Sequence, residues 1–219
     1  MVITLTNAID VPGNSSRAFK FLEQATSQPR GTIQFGWDYQ NPYLRNLKYD
    51  ASIINYDENY CTSVCSLDTE GVIPTSQYFH QVREVLSSSA LVTDVGCGQG
   101  EFVRVLRSSG LSAIGFDPVL HEPSEFLFAQ FWNPKNAPKT DLVVMRCVLP
   151  HIEEPWTFLD QIAKSQPSAL VLIEFQRLEW ILDTHCWYQF CHDHVNQFSQ
   201  DDFRRRYEVL LDGQFANGE

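Results

Sequence analysis

The chain is short of positive charge. Sixteen Lys and Arg stand against 27 Asp and Glu, a net charge of −11 at pH 7. Such a surface repels phosphate backbones, so nucleic acid is not an expected partner. The one basic run, Arg204-Arg205-Arg206, directly follows Asp201-Asp202. It reads as a solvated helix face, with Phe203 and Tyr207 turned inward. No stretch approaches the ~20 apolar residues that span a bilayer, so no membrane association is expected. The segment MVITLTNAIDVPGNSSRAF lacks the basic and apolar regions of an export signal. The six cysteines, at 61, 65, 97, 147, 186 and 191, show no disulfide-framework spacing. Together these absences point to a reducing, cytoplasmic compartment. Internal repeats and low-complexity tracts are absent too.

What is present suffices for a packed core. Hydrophobic residues make up 43% and charged residues 20%, close to globular averages. Residues 1–34 are polar and irregular and read as a loose arm with one short helix around Ser16–Ala25. Residues 35–75, rich in Tyr, Asn and Asp, read as a cap or lid. The expected domain division is therefore 1–75 for arm and cap, and 76–219 for the main domain. From Ser76 the pattern changes. Tyr78, Val82, Val85 and Leu86 recur at helical spacing, so 76–88 reads as a helix. Short apolar runs at 90–95, 112–116, 142–145 and 169–173 then alternate with helical patterns at 101–109 and 155–165. Alternation of this kind predicts βαβ units and a mostly parallel sheet. A helix at 199–206 and a strand pair at 207–211 and 214–215 are expected to close the domain.

The strongest signal is Val92-Thr-Asp-Val-Gly-Cys-Gly-Gln-Gly-Glu101. A strand runs into Gly96, Gly98 and Gly100, and a helix follows at once. Three glycines permit a tight turn and close approach of a ligand, and their N–H groups with the helix N-terminus offer donors. The spacing is GxGxG, not the GxGxxG that suits a pyrophosphate. Asp94, at the strand end, would repel a diphosphate but suits a cationic ligand. Asp117 ends the next strand about twenty positions on, where an acid takes the two hydroxyls of a ribose. Read alone, the loop is also a helix-capping turn, and Asp117 also an N-cap before Pro118.

This loop, followed by Ile114-Gly-Phe-Asp-Pro118, resembles motif I and the acidic loop of class I S-adenosylmethionine-dependent methyltransferases. The resemblance implies a Rossmann-like α/β fold with a mostly parallel seven-stranded sheet that ends in an antiparallel strand. It implies S-adenosylmethionine as methyl donor and S-adenosylhomocysteine as product. It places Asp94, Gly96, Cys97, Gly98 and Gly100 at the methionine end of the donor, and Asp117 with Pro118 at the ribose. Phe128-Ala-Gln-Phe-Trp132 matches the stretch that ends the third strand, with Gln130 and Phe131 as adenine contacts. Arg146 and Cys147 end strand four, where ligands of open sheets sit. Tyr60, with Tyr56, would close a lid.

Further segments are similar to the methyltransferases related to the sugar C-methyltransferases of antibiotic pathways. They are Tyr56-Asp-Glu-Asn-Tyr60, Asp141 to Pro155, Leu178-Glu-Trp-Ile-Leu182 and His192-Asp-His-Val-Asn-Gln-Phe-Ser199. By this resemblance His194 is the catalytic base, with His151 bordering the acceptor and His192 and Asp193 orienting or contacting it. The departures are Cys147 and Pro150 for a His and a Glu, Asp193 for a Glu, and neither the zinc module nor the long C-terminal domain of the larger relatives. Cys61 and Cys65 lack a second pair, and Cys186, Cys191, His192 and His194 form no recognised ligand spacing, so no metal site is assigned. The expected function is methyl transfer to a small-molecule acceptor, such as a sugar or another specialised metabolite. The alternatives are a cofactor-binding subunit without turnover and a nicotinamide-dependent oxidoreductase. Oligomeric state is open.

Overall fold

A computed structural model of the chain describes residues 3–15, 17–37, 41–57, 59–60, 80, 83–84, 86–210 and 213. The chain divides into two compact units, neither continuous in sequence. The first comprises Met1–Asn55, Leu149–Glu153 and Glu174–Glu219, the second Tyr56–Val148 and Glu154–Ile173. The boundary expected between 75 and 76 lies outside the described residues, as do Cys61 and Cys65. Of the helix expected at 76–88, His80, Arg83 and Glu84 are helical, whereas Leu86, Ser87 and Ser88 are described and lie outside any helix.

The second unit carries the parallel sheet. Its strands are β4 (Leu91–Val95), β5 (Ser112–Phe116), β6 (Leu127–Phe128), β7 (Leu142–Arg146) and β8 (Leu170–Glu174), in the spatial order β6-β5-β4-β7-β8. β4 pairs in parallel with both β5 and β7, so it is central in the sheet and buries Val92, Thr93, Asp94 and Val95. Helix α2 (Glu101–Ser108) buries Phe102, Val103 and Leu106 and leaves Arg104 exposed. Helix α3 (Pro155–Ser165) starts on a proline whose missing N–H costs nothing at that position. The order of strand addition reverses between the parallel neighbours β4 and β7, the switch point at whose carboxyl end ligands bind in open α/β sheets.

The first unit is built differently from expectation. Residues 1–34 are not an irregular arm. Ile3–Pro12 forms β1, Leu22–Thr26 forms α1, and Arg30–Trp37 forms β2. With β3 (Leu44–Asn46) and β9 (Asn196–Gln197) they make an antiparallel sheet in the order β1-β2-β3-β9. Backbone pairing, not an apolar face, holds β1, which is exposed along most of its length. The core of this unit is Ile33, Phe35, Leu44, Leu178, Ile181 and Phe190, with helix α4 (Leu178–Asp183) contributing two of them. Helix α5 (Gln200–Arg204) begins at a capping box on Ser199 and Asp202. Phe203 stacks on Phe175 at 5.1 Å, while Arg204, Arg205 and Arg206 are exposed, as their charge pattern implied.

The seven-stranded sheet is thus corrected. Among the described residues the parallel sheet has five strands, and the antiparallel strands form a sheet of their own. Tyr207–Leu210 has no strand pairing, and the rest of the expected terminal pair lies outside the described residues except Gly213. Among the described residues no helix is long and apolar enough to cross a membrane.

Candidate functional site

The glycine loop lies in the second unit, at the carboxyl end of β4. Gly96, Gly98 and Gly100 have φ of +72°, +58° and +84°, a left-handed backbone at all three. A side chain at Gly96 would also collide with Val148, which follows β7. Gly96→Ala should therefore lose at least ~1–2 kcal/mol of stability, read from urea unfolding, from the left-handed backbone alone. Gly115 on β5 serves the same loop. An added Cβ there would sit 2.6 Å from the Cys97 sulfur, so its absence lets the buried Cys97 side chain lie against the strand. Burial pushes the Cys97 thiol well up, with Asp94 and Asp117 adding to the effect. Cys97 is therefore a packing thiol and not a nucleophile.

The loop N–H groups are spent inside the fold. Those of Gly96 and Cys97 donate to the Phe116 carbonyl at 2.8 and 3.2 Å, and that of Gly100 to the Cys97 carbonyl at 2.9 Å. The Gly98 N–H donates to Asp117 Oδ2 at 2.9 Å, and Val119 N–H to Asp117 Oδ1 at 2.8 Å. The sequence suggested free donors here; the turn instead offers close approach. Asp117 is buried, which raises its pKa, while these two N–H groups pull it back down. A carboxylate has about four lone-pair sites, so Asp117 keeps capacity for a diol.

Asp94 differs. It is 2% exposed, and its Oδ1 has no hydrogen-bond partner. Burial raises its pKa to about 7, the Arg146 guanidinium opposing this and Asp117 and Glu101 adding to it. An orphaned buried carboxylate beside a glycine turn is a place for a cation. Arg146 lies over the Phe102 ring at 5.1 Å, and Cys147 after it has φ +53°, an uncommon backbone for a non-glycine. Tyr56 meets Tyr60 edge-on at 4.9 Å and Phe131 at 6.5 Å, so three of the predicted aromatic residues share one cluster. Phe131 is 67% exposed and Gln130 is exposed beside it. Pro118 is half-buried next to Asp117.

Gln99 carried no weight in the sequence reading. Its Nε2 donates to Val119 O at 3.0 Å and its Oε1 accepts from His121 N at 3.0 Å, tying the glycine loop to the loop that carries Asp117. The clue was its place between Gly98 and Gly100. An open cavity of about 460 Å³, lined by Gln99, Arg104, His121 and Glu122, borders this junction. A second, of about 310 Å³, is lined by residues of 139–141 and 166–168. It opens at the amino ends of β7 and β8, the wrong end of a parallel sheet for a ligand.

The histidines belong to the first unit. His151 lies in a 3-10 turn (Leu149–His151), not at the start of α3. Its Nδ1 is 2.9 Å from the Asp193 carbonyl, and His194 Nδ1 is 3.1 Å from the Gln189 carbonyl. A carbonyl only accepts, so both rings carry hydrogen on Nδ1 and a lone pair on Nε2. The two rings meet edge to face with centroids 4.7 Å apart. Burial, reinforced by His151, lowers the pKa of His194 to about 4; burial lowers that of His151 too, against the pull of Asp193. His192 packs elsewhere, 5.6 Å from Tyr49 and over Gly31, with neither ring nitrogen hydrogen-bonded. Asp193 turns its carboxylate to Ser15.

The family model of the methyltransferase domain matches residues 75–208. No curated protein matches the chain in sequence. Among solved structures, a chain of the Haloferax volcanii complex containing the Trm112 methyltransferase activator is 16% identical, with a TM-score of 0.48 over 66% of this chain and 73% of that one. CalO1, a methyltransferase of calicheamicin biosynthesis in its SAH-bound form, is 15% identical, with a TM-score of 0.46 over 62% of this chain and 47% of its own. The plantazolicin methyltransferase BpumL, in complex with a monoazolic desmethylPZN analog and SAH, is 15% identical, with a TM-score of 0.46 over 60% and 58%. The chain thus spans about half the length of CalO1. The match over residues 75–208, laid on a five-stranded parallel sheet with its glycine turn at the switch point, shows that this chain belongs to the methyltransferase-domain family, which uses S-adenosylmethionine.

Proposed function

We propose that the protein transfers the methyl group of S-adenosylmethionine to a small-molecule acceptor, such as a sugar or another specialised metabolite. The observation that carries this is the orphaned, buried Asp94 carboxylate beside three left-handed glycines. It suits the cationic methionine end of the donor, and it disfavours the diphosphate of a nicotinamide nucleotide. Asp117 would hold the ribose hydroxyls, and Phe131, Gln130, Tyr56 and Tyr60 the adenine side. Arg146 and Cys147 border the same end of the sheet. When bound, the donor supplies an electrophilic methyl on a sulfonium.

The residues of this chain then bind, orient and manage protons. The histidine pair is the acceptor-side base: each Nε2 lone pair is set by the carbonyl that holds Nδ1. The low pKa of the pair keeps it unprotonated near pH 7, where a base must be free. Against an accepting substrate, His194→Gln should lower turnover on the order of a hundredfold and leave the affinity for S-adenosylhomocysteine unchanged. Equal turnover would make His194 a structural residue. The family reading is tested by calorimetric titration with S-adenosylmethionine, S-adenosylhomocysteine and NADH. Binding of both adenosyl ligands and not NADH supports it. No binding of either withdraws the enzyme reading, and binding with no turnover on any acceptor leaves a cofactor-binding subunit.

A further inference from the structure

The loop that carries His192 and His194 is held from the far end of the chain. Asp193 is 1% exposed, and its carboxylate takes three contacts from Ser15. The Ser15 N–H lies 3.1 Å from both oxygens, and Ser15 Oγ donates to Oδ2 at 3.2 Å. Ser15 is fixed in turn by its neighbours. Gly13 N–H donates to Pro29 O at 2.9 Å, and Asn14 Oδ1 accepts from Asn55 N–H at 2.8 Å. Asp193 therefore meets the histidines with its backbone carbonyl, on His151 Nδ1, while its charge faces Ser15.

We propose that Ser15 is a positioning residue for the histidine pair. By taking up the Asp193 carboxylate, it stops that charge from forming an ion pair with His151 or His194, and so keeps both rings neutral and free to accept a proton. A buried carboxylate released from three donors takes the nearest remaining ones, and a protonated imidazole is the strongest of these. The Cys191 thiol on the same loop also hydrogen-bonds with Asp193 and Ser15, and the other charged and titratable groups of this region are His192 and Glu153, which pairs with Arg45 of β3 at 3.8 Å. Tyr49 and Asp50 stand on the segment after β3. The Asp193 charge already raises the pKa of both histidines, though burial outweighs it.

The inference rests on the histidines being the acceptor-side base, and its test reads the histidines directly. In the full chain with S-adenosylhomocysteine added, the imidazole midpoints of His151 and His194 would be followed by NMR, with His151→Gln and His194→Gln fixing the signals. Ser15→Ala removes one of the three contacts, and Ser15→Pro removes all three, since proline has no N–H. The midpoints should rise with Ala, and rise by about one pH unit with Pro. Ser15→Thr should behave as the native chain, and Asp193→Asn in the Ser15→Ala background should cancel the rise. Unchanged midpoints in Ser15→Ala would reduce Ser15 to packing and overturn the proposal. Failure of the native chain to bind S-adenosylhomocysteine would instead sink the methyltransferase reading, whatever the midpoints do.

Discussion

Asp94→Asn should melt a few degrees above the native protein at pH 8, and bind S-adenosylmethionine at least ~tenfold more weakly, for the loss of one charge-assisted contact. Both effects have one cause. Ionised Asp94 is buried with an unpartnered oxygen, so its charge destabilises the fold and is available to a cationic ligand. An ordinary carboxyl titrates near ~3.9; here the value is about 7. Between those limits the folded protein keeps a proton that the unfolded chain has lost. Stability on this account falls as pH rises from ~4 to about 7.

His194 works in the opposite sense. Its ordinary value is ~6.5 and its folded value about 4. In that window the unfolded chain holds the extra proton, so stability rises with pH. His151 acts in the same direction as His194. The two contributions, each at most ~3–4 kcal/mol across its window, oppose one another in the native protein. Urea midpoints from pH 4.5 to 7.5 should therefore climb in Asp94→Asn, fall in His194→Gln, and vary least in the native chain. Three parallel profiles would refute the assignment of these two groups. The native affinity for S-adenosylmethionine should weaken as pH falls below about 7, and that dependence should vanish in Asp94→Asn.

Asp117→Ala is expected to lose roughly a hundredfold or more in affinity for S-adenosylhomocysteine, two hydroxyl contacts to a charged acceptor being worth on the order of 3 kcal/mol. It removes two things at once. The Gly98 and Val119 N–H groups lose their acceptor, which loosens the loop in the free protein. On the proposed reading the ribose hydroxyls would lose theirs. A ligand without one of those hydroxyls, S-(2′-deoxyadenosyl)homocysteine, separates the roles. If Asp117 holds the ribose, the variant should discriminate less between the two ligands than the native protein does. Equal discrimination in both would confine Asp117 to capping the loop. Asp117→Asn should do little better than Ala, because its amide must turn one N–H donor toward another.

The second unit was nearly all legible in sequence. The strands expected at 112–116, 142–145 and 169–173 lie within one residue of those observed, and the helix at 155–165 coincides. Each is a short apolar run or a helical period that both faces of a parallel sheet impose. The first unit was not legible. β1 is exposed on both faces, so nothing imposes alternation on Ile3–Pro12, and β9 is two residues long. The glycine loop and Asp117 announce themselves by spacing. Ser15 does not, since its partner Asp193 lies 178 positions away and a serine beside an aspartate marks no motif.

That separation governs the order of assembly. During synthesis every strand of the parallel sheet among the described residues has been made once the chain reaches Glu174. The antiparallel sheet waits for Asn196 and Gln197, which must find β3 about 150 residues upstream. The entropy of closing that loop is spent before any contact rewards it. The unit that carries the glycine turn therefore has all its strands while the unit that holds the histidines still lacks its last one. Nascent chains ending near residue 175 should already protect β4 and β5 from hydrogen exchange, whereas β3 should gain its protection with the final segment.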